Sequence, residues 1–378
     1  MMQLGAARLF DGQNFFDNCK ISIENGFVVD VLPGDGAGHG LVVPGFVDLQ
    51  VNGGGGVLFN DDISIDGLHH IAAAHGRAGT TTLLPTLISG SRAAMAAALA
   101  AVKAALDQRI PGVAGVHLEG PFLSPARPGI HPPEAILAMR WEDVAAIRAD
   151  FPVLLTLAPE RVDPAMIRAL ADAQVIVFAG HTDATWAEFQ AGITAGVVGV
   201  THLFNAMSQF ASRAPGVVGG VLGDAAICAG IIVDGHHAHF ASVRAAHAAL
   251  GKTRLFLVSD AMATAGSALT TFRLGGKSIR LQDGKLTDES GTLAGAHLTM
   301  ADAIGNAVHG AGIPLADALA MATSTPACVL GRRDIGRIAP GCRADLVALD
   351  ERLNVVQVWQ GGAALPAPPA GALRAPPG

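Results

Sequence analysis

At six places in the sequence, carboxylate, imidazole or carboxamide groups follow directly on an apolar run. They are Gln50 and Asn52 in DLQVN, His117 and Glu119 in HLE, His181 in AGHTD, His202 and Asn205 in THLFN, Asp234 and His237 in VDGHH, and Asp260 in VSDA. Glu119, His181 and His202 make the combination expected of a catalytic zinc site, three N/O ligands with one position left open. A metal held there lowers the pKa of a water toward about 7 and polarises a carbonyl, which is what amide hydrolysis requires. From the end of its strand the Asp260 carboxylate can reach such a water as general base.

Taken singly, each residue has a plainer reading. A strand-end histidine is commonly a satisfied core or loop residue, and an aspartate there is often a helix N-cap. Four such residues on four different strands are hard to assign to capping alone. His117, two residues before Glu119, faces the same side and is read as packed or as orienting a ligand. His69, His70, His75 and His309 lie on helical stretches and are read as surface or packing residues. Alternation along VDGHH turns His236 away from the side that His237 faces.

These residues need a frame. From about residue 44 an apolar run ending in polar residues is followed by an Ala-rich helical stretch, and the unit repeats. The runs are VVPGFVDLQ, TTLLPT, GVAGVHLE, VLLTLAPE, VIVFAGH, VGVTHLF, AICAGIIVD and LFLVSD, with helical segments such as SRAAMAAALAAVKAAL and PAMIRALADA between them. Eight alternating units with nearly continuous apolar strands predict an α/β fold, a closed parallel (β/α)8 barrel over residues 44–334. Residues 1–43 and 335–362 instead read as short strands with tight NG and DG turns, which predicts one small β-sandwich built from both ends. The Pro/Gly/Ala-rich stretch 363–378 is expected to be a loose tail.

Composition narrows the class further. The 378-residue chain is 50% hydrophobic and 15% charged, with a net charge of −7 and no run of Lys or Arg, so the electrostatic footprint of a nucleic-acid binder is missing. No apolar stretch approaches the roughly 18 residues of a membrane span, and the N-terminus has acids where a signal peptide needs an apolar core. Four dispersed cysteines without a CxxC pair argue against a disulfide framework and a thiolate metal site, and point to a reducing cytoplasm.

The motifs GFVDLQVNGGGG, HLEGPFLSPARPGIHP, AGHTDAT, THLFNAMSQFASRAPG, DGHH, VSDAMATAG and GTLAG occur in that order. Together they resemble the N-acetylglucosamine-6-phosphate deacetylases of the amidohydrolase superfamily, over nearly the whole chain. The resemblance implies Glu119, His181 and His202 as metal ligands and Asp260 as the catalytic acid/base. As substrate contacts it implies Ile130, His131, Asn205, Ala206, Arg213, His237 and the backbone of Leu293, Ala294 and Gly295. Arg213 is expected to reach across a homodimer, and with His237 to hold a phosphate.

The implied reaction is hydrolysis of N-acetyl-D-glucosamine 6-phosphate to glucosamine 6-phosphate and acetate. Alternatives are another N-acetyl amino sugar phosphate such as the galactosamine epimer, a cyclic amide, or a scaffold protein that has lost catalysis. Many relatives in the superfamily end their first strand in His-x-His, completing a second metal site; here those positions are Gln50 and Asn52. Amides are poor ligands for a borderline metal, so one ion per subunit is expected, Zn²⁺ by ligand type, with Fe²⁺, Mn²⁺ and Co²⁺ as other fits. Gln50 and Asn52 are left to orient water or neighbouring groups. His297 stands in GTLAGAHLTM where a small residue is usual.

Overall fold

The computed structural model describes residues 1–366. Eight parallel strands form one sheet: Phe46–Val51, Thr80–Ile88, Val116–Glu119, Val153–Leu157, Ile176–Ala179, Val197–Val200, Cys228–Ile231 and Leu255–Leu257. Each lies in one of the eight apolar runs, and spatial order follows chain order, as expected when parallel neighbours are joined by helical crossovers. The seam closes just beyond the last strand. There Asp260 N donates to Gln50 O at 3.0 Å and Asn52 N to Ala261 O at 2.9 Å. Asp260 is thereby stitched to the first strand.

The strands are buried on both faces, by barrel filling inside and by helices outside, which is why they read as continuous apolar runs. The helix Arg92–Asp107 shows how the outer layer is specified. Its buried residues Met95, Ala98, Val102 and Ala105 recur at helical spacing, and Ser91 caps it by accepting from Ala94 N. Ser64 does the same for Ile65–Arg77, and Thr185 with Glu188 forms a capping box on Trp186–Ala195.

A second, sheet-rich unit draws on both chain ends. Strands Met2–Phe10, Phe15–Glu24, Phe27–Pro33 and His39–Pro44 share a seven-stranded sheet with Leu346–Leu349, Val355–Gln360 and Ala363–Ala364. Asn25 and Gly26 both take positive φ (51° and 84°), the geometry that an NG hairpin turn needs. The core of this unit joins Leu4, Leu9 and Ile21 to Leu346, Ala348 and Trp359. The stretch expected to be loose from 363 instead begins with the strand Ala363–Ala364, paired to Trp359 and Gln360; the rest of it, from 367, lies outside the described residues.

A four-stranded antiparallel sheet, Thr271–Leu274, Lys277–Gln282, Lys285–Thr287 and Leu293–Ala296, follows the last barrel strand. The reading of the sequence as barrel plus terminal strands does not include it. It carries Leu293 and Gly295 to the open end of the barrel.

Candidate active site

A cavity of about 500 Å³ opens at the C-terminal ends of the barrel strands. Glu119, His181, His202 and Asp260 all line it, and all four are buried. Glu119 Oε1 lies 3.4 Å from His181 Nε2 and 3.0 Å from His202 Nε2, and the two imidazole nitrogens are 3.1 Å apart. Ligand bonds of about 2.0–2.2 Å in a tetrahedron place ligand atoms about 3.3–3.6 Å apart, close to this triangle.

Hydrogen bonding sets the tautomers. His181 Nδ1 donates to Arg127 O at 3.0 Å, because a carbonyl can only accept, and Nε2 therefore keeps its lone pair for a metal. Gly129 is required at this contact: a Cβ there would meet His181 Cε1 at 3.1 Å, and its φ is +56°. His202 Nδ1 is buried without a partner among the described residues.

His131 is configured the other way. Ser89 N approaches its Nδ1 at 3.3 Å and Ser89 Oγ at 2.8 Å, so Nδ1 accepts and the proton sits on Nε2. That nitrogen lies 3.7 Å from Glu119 Oε2. Glu119, His131 and His181 also bring ligand atoms within 4.8 Å of one another. The tighter triangle favours His202 over His131 as the third ligand, and the Nε2 proton leaves His131 as a donor at the cavity.

The charges fit a cation site. Burial alone would raise the Glu119 carboxyl, but hydrogen bonds and charge from His131, His181 and His202 outweigh it and hold Glu119 well below the usual carboxylate range. Burial pushes His181 down to about 4, so it stays neutral, with its Nε2 lone pair available. Asp260 is pushed up to about 6, first by burial and then by the Glu119 charge.

Gln50 and Asn52 hold the carboxylates. Gln50 Nε2 donates to Glu119 Oε1 at 2.9 Å and to Asp260 Oδ1 at 3.1 Å, while Asn52 Nδ2 donates to Asp260 Oδ1 at 2.6 Å. Both therefore turn N–H groups, which cannot ligate a metal, toward the site. His181, His202 and Asp260 all have positive φ (48°, 32° and 50°), so backbone strain is concentrated where the side chains must converge.

Other expected residues fall into two groups. Ile130, His131, Asn205, Ala206, His237, Leu293 and Gly295 line the cavity. His237 Nδ1 donates to Asp234 Oδ2 at 2.7 Å; burial would raise Asp234, but this partner outweighs it and holds the acid at about 2. His236 does not line the cavity. His117 lies deeper in the barrel, donating from Nδ1 to Leu49 O at 3.1 Å and accepting from Thr156 Oγ1 at 2.8 Å. It is a packed residue and bonds no member of the triangle.

Ala294 is also outside the cavity wall, buried in a cluster with Leu58, Met262 and Ile279. Arg213 is exposed on the 208–215 segment and does not line the cavity of its own chain. His297 bonds Thr264 Oγ1 at 3.1 Å and likewise stays out of the wall.

Arg127 and Asp48 are missing from the sequence reading. Arg127 lines the cavity and pairs with Asp183, with Nε to Oδ1 at 2.8 Å. Asp48, two residues before Gln50, is wholly buried beneath Asp260 and accepts from Gln50 N and Ser259 N. The helical histidines His70 and His75 turn out to donate to Gly55 O and Gly53 O, at 2.8 and 2.9 Å, pinning the glycine run.

A (β/α)8 barrel with Glu, two His and Asp converging at its strand ends defines a hydrolase frame able to hold a catalytic metal. The chain belongs to the amidohydrolase family, whose pattern it matches over residues 41–365. It is 38% identical to an N-acetylgalactosamine-6-phosphate deacetylase of Shewanella sp. (strain ANA-3), over 96% of this chain and 95% of that one. The crystal structure of N-acetylglucosamine-6-phosphate deacetylase from Pasteurella multocida superposes with a TM-score of 0.92 at 33% identity, covering 96% of this chain and 100% of that one. A variant of the Mycobacterium smegmatis N-acetyl-D-glucosamine-6-phosphate deacetylase, in complex with N-acetyl-D-glucosamine-6-phosphate, gives 0.89 at 32% identity, covering 96% and 98%.

Proposed function

We propose that the protein hydrolyses the acetamide of N-acetyl-D-glucosamine 6-phosphate, releasing acetate and glucosamine 6-phosphate. The observation that carries this reading is the Glu119/His181/His202 triangle, with edges of 3.0–3.4 Å, on the floor of a cavity that Asp260 also lines. Those three residues would hold one divalent ion, Zn²⁺ by ligand type, which when bound lowers the pKa of a water and polarises an acyl carbonyl.

The chain's own groups do the rest. Asp260, held by Gln50 and Asn52, takes the proton of the attacking water and returns one to the departing amine. His131 donates from Nε2 to the acyl oxygen. His237, tied to Asp234 through Nδ1, leaves Nε2 for the phosphate, and the Asn205–Ala206 segment borders the same wall. Binding of the phosphate orients an acetamide that it never touches chemically.

Arg213 is assigned to the active site of a partner subunit in a homodimer. Support comes from Phe210 on the same segment, 64% exposed, an apolar surface that association would cover. The four free cysteines support a reducing, cytoplasmic setting.

The test is Asp260→Asn. It should bind one equivalent of zinc and lose about 10²-fold or more in kcat; near-wild-type turnover contradicts the acid/base role, and two tight equivalents contradict the one-metal reading. The name of the Shewanella relative favours a second reading, the galacto epimer, and acetate release from both phosphorylated sugars separates the two.

A further inference from the structure

Arg127 is the only arginine or lysine lining the cavity among the described residues. Its Nε donates to Asp183 Oδ1 at 2.8 Å, and its two terminal nitrogens have no partner among the described residues. Asp183 is a half-exposed acid held by its chain neighbours. Its neighbour Thr182 donates from N to Ala206 O at 3.0 Å and accepts from Ser208 N at 3.1 Å. The Arg127–Asp183 pair therefore ties the loop after the third barrel strand to a residue whose neighbour is bonded to the Ala206–Ser208 segment.

The cavity wall thus includes a guanidinium from its own chain, paired to Asp183 through Nε and with two terminal nitrogens unpartnered among the described residues, and Asn205 and Ala206 line the same cavity. A guanidinium with an unused edge matches a phosphomonoester dianion in charge and geometry. Arg213, by contrast, is exposed and outside this wall.

We infer that Arg127 is a specificity-determining residue, which binds the 6-phosphate in cis through its terminal nitrogens while Asp183 fixes its direction. This rests on the proposed deacetylase function. The side chain and backbone of Arg127 serve different ends, since its carbonyl oxygen accepts from His181 Nδ1 and survives any substitution of the side chain.

The experiment measures kcat/KM for acetate release from N-acetylglucosamine 6-phosphate and from N-acetylglucosamine, using zinc-loaded wild type, Arg127→Ala and Arg127→Lys, with metal content and inorganic phosphate inhibition recorded for each. Arg127→Ala should lower the phosphorylated-to-unphosphorylated ratio roughly tenfold or more through KM, weaken phosphate inhibition in step, and keep its zinc. Arg127→Lys should recover part of the ratio. An unchanged ratio, or a loss that tracks lost zinc, overturns the inference while leaving the deacetylase reading standing. Absence of acetate release by the wild type from either sugar overturns both.

Discussion

Asp48 shows how finely the site depends on single buried groups. Its Oδ2 has no hydrogen-bond partner among the described residues, and burial pushes its carboxyl up to about 7, against opposing hydrogen bonds from Ser259 and Gln50. The folded protein keeps this proton while the unfolded chain releases it near the usual aspartate value, about 3.9. Between those values the native state binds more protons, so this group makes stability fall as pH rises toward 7. Asp48→Asn keeps the acceptor for Gln50 N and Ser259 N and has no proton to lose. Urea unfolding between pH 4 and 7 should show a flatter fall for the variant, by at most about 1.4 kcal/mol per pH unit; parallel profiles would show that Asp48 is ionised in the fold. The sequence made Glu119, His181, His202 and Asp260 legible because each ends an apolar strand. Asp48 lies inside such a strand, and the Arg127–Asp183 pair joins two loops 56 residues apart, so neither has a local signature.

At the scale of elements, the glycine run after Asn52 is a rigid buttress. Gly53 N, Gly55 N and Gly56 N donate to Ala261 O, Ala265 O and Ala263 O, so the run lies along the segment that carries Asp260. A Cβ on Gly53 would stand 2.3 Å from Val57 O and 3.1 Å from Ala263 N, both backbone atoms with no freedom to rotate away. Gly53→Ala is expected to cost about 1–3 kcal/mol of stability and to lower kcat by displacing Asp260. Wild-type stability and kcat would mean that the segment yields without cost. All eight barrel strands were legible, since strands covered on both faces must be apolar throughout. The inserted sheet carried its own signal, alternation in TFRLGGKSIRLQDGKLT with turns at Gly275–Gly276 and Asp283–Gly284, all of positive φ. What no sequence pattern marks is that this sheet folds over the barrel mouth to supply Leu293 and Gly295, while its own core takes Ala294.

The whole molecule divides its labour between a barrel that places the reacting groups and a sheet-rich unit built from both chain ends. The site becomes complete in our reading only when Arg213 arrives from a second copy. Arg213→Ala should therefore reduce kcat/KM on the order of tenfold to a hundredfold for the phosphorylated sugar and little for the unphosphorylated one, with the dimer intact by sedimentation. Equal losses on both substrates would remove Arg213 from the phosphate site. The dimer was suggested by resemblance alone, because association depends on surfaces such as that around Phe210, which a single chain's periodicity does not reveal. The central claim is metal-dependent deacetylation of an amino sugar phosphate, and acetate release from N-acetylglucosamine 6-phosphate before chelation, after chelation and after zinc is restored tests it most directly. Stoichiometric acetate and glucosamine 6-phosphate, abolished by chelation and recovered with one equivalent of zinc per subunit, is the predicted result; no acetate from the zinc-loaded protein, or release indifferent to chelation, would contradict it.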